Sequence, residues 1–169
     1  NLEVLDQLRL PHEFHYDPVA TAAEAFDSIA SMRVRGAPAI AIVASLGLAV
    51  ELHKTPLSVS SAEEAIASID KSLDYLKQSR PTAVDLTNAI NQLKRKIREC
   101  KTKEEVVNAF IEEAEAIFAK DLKTNTAIGE HGAEWLRTQG AAPDKTVSVL
   151  THCNTGSLAT SGHGTALGI

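Results

Sequence analysis

Aromatic residues are scarce in this sequence, at 4% of 169 positions, and a single Met is present. The apolar load, 44% of the chain, therefore falls on Ala, Leu and Ile, a mixture that favours helices. Positive charge is also in deficit: 17 basic against 22 acidic residues leave a formal charge of −5, which gives no electrostatic case for broad nucleic-acid binding. Cysteine is limited to Cys100 and Cys153. Two thiols so far apart in sequence form no metal spacing and no disulfide framework, and a reducing compartment is the simple reading. No uninterrupted apolar run reaches the roughly 18 residues that span a bilayer. The longest, 37–50, is broken by Pro38, Ser45 and Gly47. A signal-peptide pattern is lacking at the start. The chain opens on Asn1 rather than Met and is still in mid-pattern at Ile169, so the expectation is a piece of a longer protein.

What is present is mostly helical patterning. Residues 1–17 alternate apolar and polar positions around Pro11 and read as strand or extended entry. Thr21 stands three before Glu24, a capping-box spacing that opens a helix over 22–32. The segment 34–37 interrupts it. Pro38 suits the first turn of a second helix over 38–53, apolar nearly all round and therefore expected to be buried. Ser61 with Glu64 opens a third helix to about Lys77, with Ile66, Ile69, Leu73 and Leu76 on one face. Leu86, Ile90, Leu93 and Ile97 mark a fourth over 83–99, and Thr102 with Glu105 caps a long fifth towards Leu122. Residues 126–137 read as a further helix or a kinked extension. The character changes at the breaker-rich link 139–144. After it, Thr146–Leu150 is a β-branched run expected to form a buried strand, followed by a Gly-containing turn and a helix-like segment, as a parallel α/β domain begins. The fold class expected is α/β overall: a mainly helical domain with a small sheet over 1–138, then the start of a second domain over 139–169.

Loops after such strands are where open α/β sheets bind ligands. Cys153 there is a potential nucleophile or acid–base group, with Asn154, Thr155 and Ser157 as hydrogen-bonding neighbours and Gly156, Gly162 and Gly164 allowing close backbone approach. A helix starting near Ser157 would favour an anion and lower the Cys153 pKa. The alternative is that Cys153 is a small buried residue. His152 and His163 match no common zinc spacing, so no metal is expected. Arg35-Gly36-Ala37-Pro38 places a guanidinium before a Gly turn and a helix start, either a phosphate or sugar clamp or an ordinary helix–helix turn with a solvated Arg. Arg80-Pro81 is a similar junction, for which a surface turn is the plainer reading. Lys94-Arg95-Lys96 with Arg98 reads as a solvated helix face, the alternative being contact with an acidic partner.

Five segments, taken in order, carry a resemblance. Leu5-Asp6-Gln7-Leu8, the stretch 32–40 containing Val34-Arg35-Gly36-Ala37-Pro38-Ala39-Ile40, the stretch 79–84 beginning Ser79-Arg80-Pro81, the stretch 127–133 and the stretch 150–160 containing Thr151-His152-Cys153-Asn154 resemble the signature segments of the methylthioribose-1-phosphate isomerases, the eukaryotic members more than the bacterial ones. The resemblance spans essentially the whole chain. It implies an aldose–ketose isomerisation of 5-methylthioribose 1-phosphate in methionine salvage, with no metal and no organic cofactor. It implies Cys153 as the catalytic cysteine and Arg35, Gly36, Ala37 and Arg80 as substrate-binding residues. It places a partner Asp, a Gln and an Asn-Lys pair after Ile169, in a Rossmann-like domain of which 139–169 is the start. The 169 residues alone are therefore expected to be inactive. The partners implied are a small sugar phosphate and, for the full-length protein, a second copy in a homodimer, with no nucleic acid and no membrane. Cytoplasmic residence follows, with nuclear residence also open to eukaryotic members.

Two other readings share the same fold family: ribose-1,5-bisphosphate isomerases and non-catalytic regulatory subunits of a translation-initiation exchange factor. Cys153 in its Thr-His-Cys-Asn setting, together with Arg35-Gly36-Ala37, favours an enzyme, and the Val-Arg-Gly-Ala-Pro-Ala-Ile segment favours the methylthio substrate.

Overall fold

The computed structural model describes residues 1–140 and 146–169 of the chain, with side chains omitted at 139 and 140. Its N-terminal segment forms a two-stranded antiparallel ribbon. Strand β1 (Leu2–Leu5) pairs with β2 (Tyr16–Val19) in the register Leu2 to Val19 and Leu5 to Tyr16. Val4 and Val19 turn inward and are buried. Pro18 is tolerated because each strand of a two-stranded ribbon keeps a free edge on which a missing N–H costs nothing.

Among the described residues five helices follow: α1 (Ala22–Ala30), α2 (Ala37–Lys54), α3 (Ala62–Lys77), α4 (Val84–Ile97) and α5 (Lys103–Trp135), the last running into a wider π turn over Leu136–Gly140. Three begin where a side chain satisfies free backbone N–H groups. Thr21 Oγ1 accepts from Glu24 N at 3.2 Å, and Glu24 Oε2 accepts in return from Ala20 N and Thr21 N. Thr102 and Glu105 repeat this box at α5. At α3, Ser61 accepts from Glu64 N, while the Glu64 carboxylate reaches back to Ser60 N. Each such cap stabilises its helix by about 1 kcal/mol.

Helix α2 is the central post, packed by α1, α4 and α5. It is long and apolar enough, by length and composition alone, to cross a membrane, which the broken run over 37–50 did not suggest; most of that window is buried inside the protein. The expected faces of α3 and α4 close the core, α4 against α2 and α3 against α1, α4 and α5: Ile69, Leu73, Leu76, Leu86, Ile90, Leu93 and Ile97 are all buried, and Ile66 is half-buried. Phe110 on α5 is the largest fully buried side chain. The few aromatics still contribute one stacked pair, Phe26 on α1 over Tyr75 on α3 at 4.5 Å. The basic run is less solvated than expected. Lys94 Nζ reaches Asp74 Oδ1 at 2.7 Å and Arg98 Nη2 reaches Asp70 Oδ2 at 2.8 Å, so half of it ties α4 to α3, while Arg95 and Lys96 remain exposed.

The last described stretch, residues 146–169, is an arm laid over the helical body, and here the sequence expectations need correcting. Thr146–Leu150 is neither a strand nor buried: Val149 is 62% and Leu150 97% exposed. A strand is stabilised by the ladder it joins, and among the described residues no strand lies beside it. The helix expected from Ser157 is a three-residue 3-10 turn, Ser157–Ala159, with a second over Ala166–Gly168. The arm is held at two places. The Ser157–Ala159 turn meets the start of α2, and the Ala166–Gly168 turn meets α5. At the latter a Cβ on Gly129 would lie 2.6 Å from the Gly168 carbonyl oxygen, so only glycine admits that contact. Asp121 Oδ2 accepts from Ser161 N at 2.9 Å between the two. The link read at 139–144 falls largely outside the described residues.

Candidate functional site

Beside the place where the arm crosses the N-terminus of α2, an open cleft of about 450 Å³ lies between the arm and the segments that carry Gln7 and Arg35, within the usual range for a small-molecule site. Arg35 and Gln7 line it from the body, and Cys153, Asn154, Thr155 and Ser157 from the arm.

The body's wall is set by the turn after α1. Met32 takes a left-handed conformation, φ 68°, which ends the helix. Val34 is then buried, with its N–H donated to Ser28 O at 3.1 Å. The two arginines that flank Val34 have opposite fates. Arg33 is wholly engaged: Nη1 on Asp17 Oδ2 at 2.6 Å, Nε on Ser31 Oγ at 3.0 Å and Nη2 on Asp27. Arg35 is exposed, and among the described residues it makes no ion pair or hydrogen bond. A guanidinium left unpaired in a cleft is a ready anion partner. Gly36, the N-cap of α2, has no side chain to offer the first turn, and Pro38 follows it, so the positive end of an 18-residue helix borders the same place.

The arm approaches because Gly36 has no side chain. A Cβ there would lie 2.1 Å from Ala159 Cα, closer than any side chain allows. Gly36 is accordingly buried under Ala159 rather than open to the cleft, while Ala37 is exposed in the first turn of α2. Gln7 provides a polar tie between the same two walls: its Nε2 donates to Leu158 O at 2.8 Å.

Cys153 is exposed, which removes the alternative of a small buried residue. It also holds φ 70°, a left-handed conformation that non-glycine residues rarely adopt and that costs about 1–3 kcal/mol where it persists. The anion-binding helix expected at Ser157 is absent, because a three-residue turn has no such terminus; the long helix that ends beside the cleft is α2. Arg80 stands apart. It is half-buried at the end of α3, with Nη1 2.6 Å from Met32 Sδ, so it touches the turn that carries Arg35 without lining the cleft. His152 is exposed, whereas His163 Nε2 is buried against Gly168. Among the described residues no three His, Cys, Asp or Glu side chains converge as metal ligands do.

A second cavity, of about 390 Å³ and mostly apolar, adjoins the first. Leu5, Tyr16 and Val34 line it, and it shares Gln7, Ser157 and Leu158 with the cleft. Gln7 lies 151 positions from Leu158, and no local signal in the sequence announces a contact over that separation.

The sequence pattern of the initiation factor 2 subunit family matches residues 33–167. The chain is 74% identical to a methylthioribose-1-phosphate isomerase of Fusarium vanettenii over 99% of its own length and 44% of that protein. It is 68% identical to one of Verticillium alfalfae, again covering 44% of the relative. It thus spans less than half the length of the curated relatives it matches. Among solved structures, 5-methylthioribose 1-phosphate isomerase from Pyrococcus horikoshii OT3 superposes with a TM-score of 0.82 at 34% identity, over 98% of this chain and 44% of the other. The delta subunit of translation initiation factor eIF-2B from A. fulgidus gives 0.79 at 33%, over 98% and 46%.

Proposed function

The chain belongs to the initiation factor 2 subunit family, and we propose that it is part of an isomerase that converts 5-methylthioribose 1-phosphate to 5-methylthioribulose 1-phosphate. The observation that carries this reading is the meeting, in one cleft, of an unpaired guanidinium, Arg35, and an exposed thiol, Cys153. The names of the relatives above supply the substrate.

The chemistry can be followed from the sugar. A phosphate on the anomeric carbon blocks easy ring opening, so the ring oxygen must be protonated before hydrogen moves from C2 to C1. That demands an acid and a group that removes or stabilises charge beside C1 and C2. In this proposal Arg35 takes the phosphate beside the positive end of α2, with Gly36 and Ala37 shaping that terminus. Arg80 approaches from the Met32 side, and holding the sugar fixed here accounts for much of the rate. Cys153 takes part at C1 and C2, and the acid that partners it is an Asp from a Rossmann-like domain that packs against Thr146–Leu150, a segment with no strand partner among the described residues. The exposure of Val149 and Leu150 supports that last point, since an unpaired apolar segment calls for a neighbour. The same reading makes the full-length protein a homodimer of the cytoplasm, with nuclear residence also open.

The test is turnover of methylthioribose 1-phosphate by the full-length protein. Cys153→Ser is expected to lose at least ~10²-fold in kcat, and the 169-residue chain alone to be inactive. Near-normal turnover by Cys153→Ser removes the thiol from the mechanism. A regulatory subunit of a translation-initiation exchange factor is the second reading, favoured by the nearly equal structural likeness to the eIF-2B delta subunit. It predicts no turnover at all by the full-length protein.

A further inference from the structure

Gln7 is fixed at both ends of its residue. Its backbone N–H donates to Arg33 O at 3.0 Å, on the turn that leads to Arg35. Its side-chain amide donates to Leu158 O at 2.8 Å, on the arm that carries Cys153. The residue before it is built to hold that posture. Asp6 is buried, its N–H goes to His15 O at 2.9 Å, and its carboxylate accepts from Leu8 N at 3.0 Å and from Arg9 Nε at 3.2 Å. The backbone at Gln7 is thus held from both sides, which makes the amide a rigid strut between the two walls of the cleft. Among the described residues, the other hydrogen bond between a body side chain and the arm is donated by Ser161 N to Asp121 Oδ2, on the far side of the turn.

We infer that Gln7 is a positioning residue that sets the separation of Arg35 and Cys153 by tying the cysteine-bearing arm to the arginine-bearing turn. The inference rests on the isomerase reading for its consequence in turnover and on geometry alone for the tie itself. With Nε2 engaged by Leu158 O, the amide's Oε1 makes no hydrogen bond among the described residues. Gln7 lines both the cleft and the apolar cavity, which leaves Oε1 as an acceptor free for a hydroxyl of a bound sugar.

Two variants separate the tie from mere stability. Gln7→Leu removes both polar atoms, and Gln7→Glu keeps the shape but cannot donate to Leu158 O. Hydrogen exchange on the 169-residue chain reads the tie without substrate. The reporters are Ala159 N and Thr160 N, which donate to Gly156 O and Ser157 O. Both variants are expected to exchange there roughly 3- to 10-fold faster, the protection one neutral hydrogen bond confers, with α3 and α4 unchanged. In the full-length protein kcat is expected to fall about 10- to 100-fold with a smaller change in KM and no matching loss of thermal stability. Unchanged exchange at Ala159 and Thr160 overturns the tie. Faster exchange with kcat within twofold of the parent overturns the positioning role. Should one variant fail to fold, the other decides. A parent that turns over no methylthioribose 1-phosphate sinks the isomerase reading and leaves the tie to stand or fall on the exchange result.

Discussion

The helical body and the arm are built on different terms. Between Ala22 and Ala114 nearly every apolar stripe finds another, and the body's core is continuous from Val4 to Ala114, while Phe118, Leu122, Ile128 and Trp135 on the second half of α5 are exposed. The arm buries only Ala159, Thr160 and Gly164 and leaves Leu150, Leu158 and Leu167 open. Local free energy follows packed apolar contact, so the body is the stable platform and the arm is a segment held by a few polar ties and glycine contacts. The cleft forms where the two meet. Its cationic wall comes from the rigid side and its thiol from the loosely held side.

The strongest way to break that contrast is to delete comparable side chains from each region. Phe110→Ala, in the middle of the body, is expected to cost about 3–5 kcal/mol in a urea or thermal melt. Leu150→Ala on the exposed arm is expected to change stability by less than about 0.5 kcal/mol. A large loss at Leu150 would show that the arm is part of the cooperative core. Gly36→Ala is next in size and acts on the junction alone: the new methyl meets Ala159 Cα at 2.1 Å, so the arm must shift. Turnover by the full-length protein is expected to fall about 10²-fold, while the melting of the body moves by only a few degrees. The third test separates the two arginines. Arg33→Ala removes a guanidinium engaged with Asp17, Asp27 and Ser31 and is expected to destabilise the chain by about 1–2 kcal/mol. Arg35→Ala is expected to be neutral in stability, within about 0.5 kcal/mol, and to appear as a raised KM. The reverse pattern would mean that Arg35 is structural.

The same division explains what the sequence disclosed. Helix starts were legible at Thr21, Ser61 and Thr102 because a cap is a contact over three residues. The buried faces of α3 and α4 were legible because helical periodicity is local too. The unity of α5 was harder to see. Thr124-Asn125-Thr126 and Gly129 look like breakers, yet Asn125 Nδ2 donates to Asp121 Oδ1 at 3.1 Å and Thr126 Oγ1 to Leu122 O at 2.9 Å, so these polar side chains bond back along the helix instead of ending it. The strand expected at Thr146–Leu150 misled because β-branched residues express a preference that only a neighbouring strand can satisfy. At the site, Arg35 and Cys153 were recognisable as residue types in telling surroundings. That Gly36 lies beneath Ala159, and that Gln7 reaches Leu158, belongs to tertiary structure and had no local trace.

On the isomerase reading, Arg35 makes the surroundings of Cys153 an anion-binding site. Rates of iodoacetamide modification at the two thiols near neutral pH test it most directly. Cys100 is half-buried, and burial together with Glu105 pushes its pKa up, so little thiolate forms there. Cys153 is expected to react several-fold faster, and methylthioribose 1-phosphate is expected to slow Cys153 while leaving Cys100 alone. Equal rates at the two thiols, with no protection by the sugar phosphate, would contradict the account.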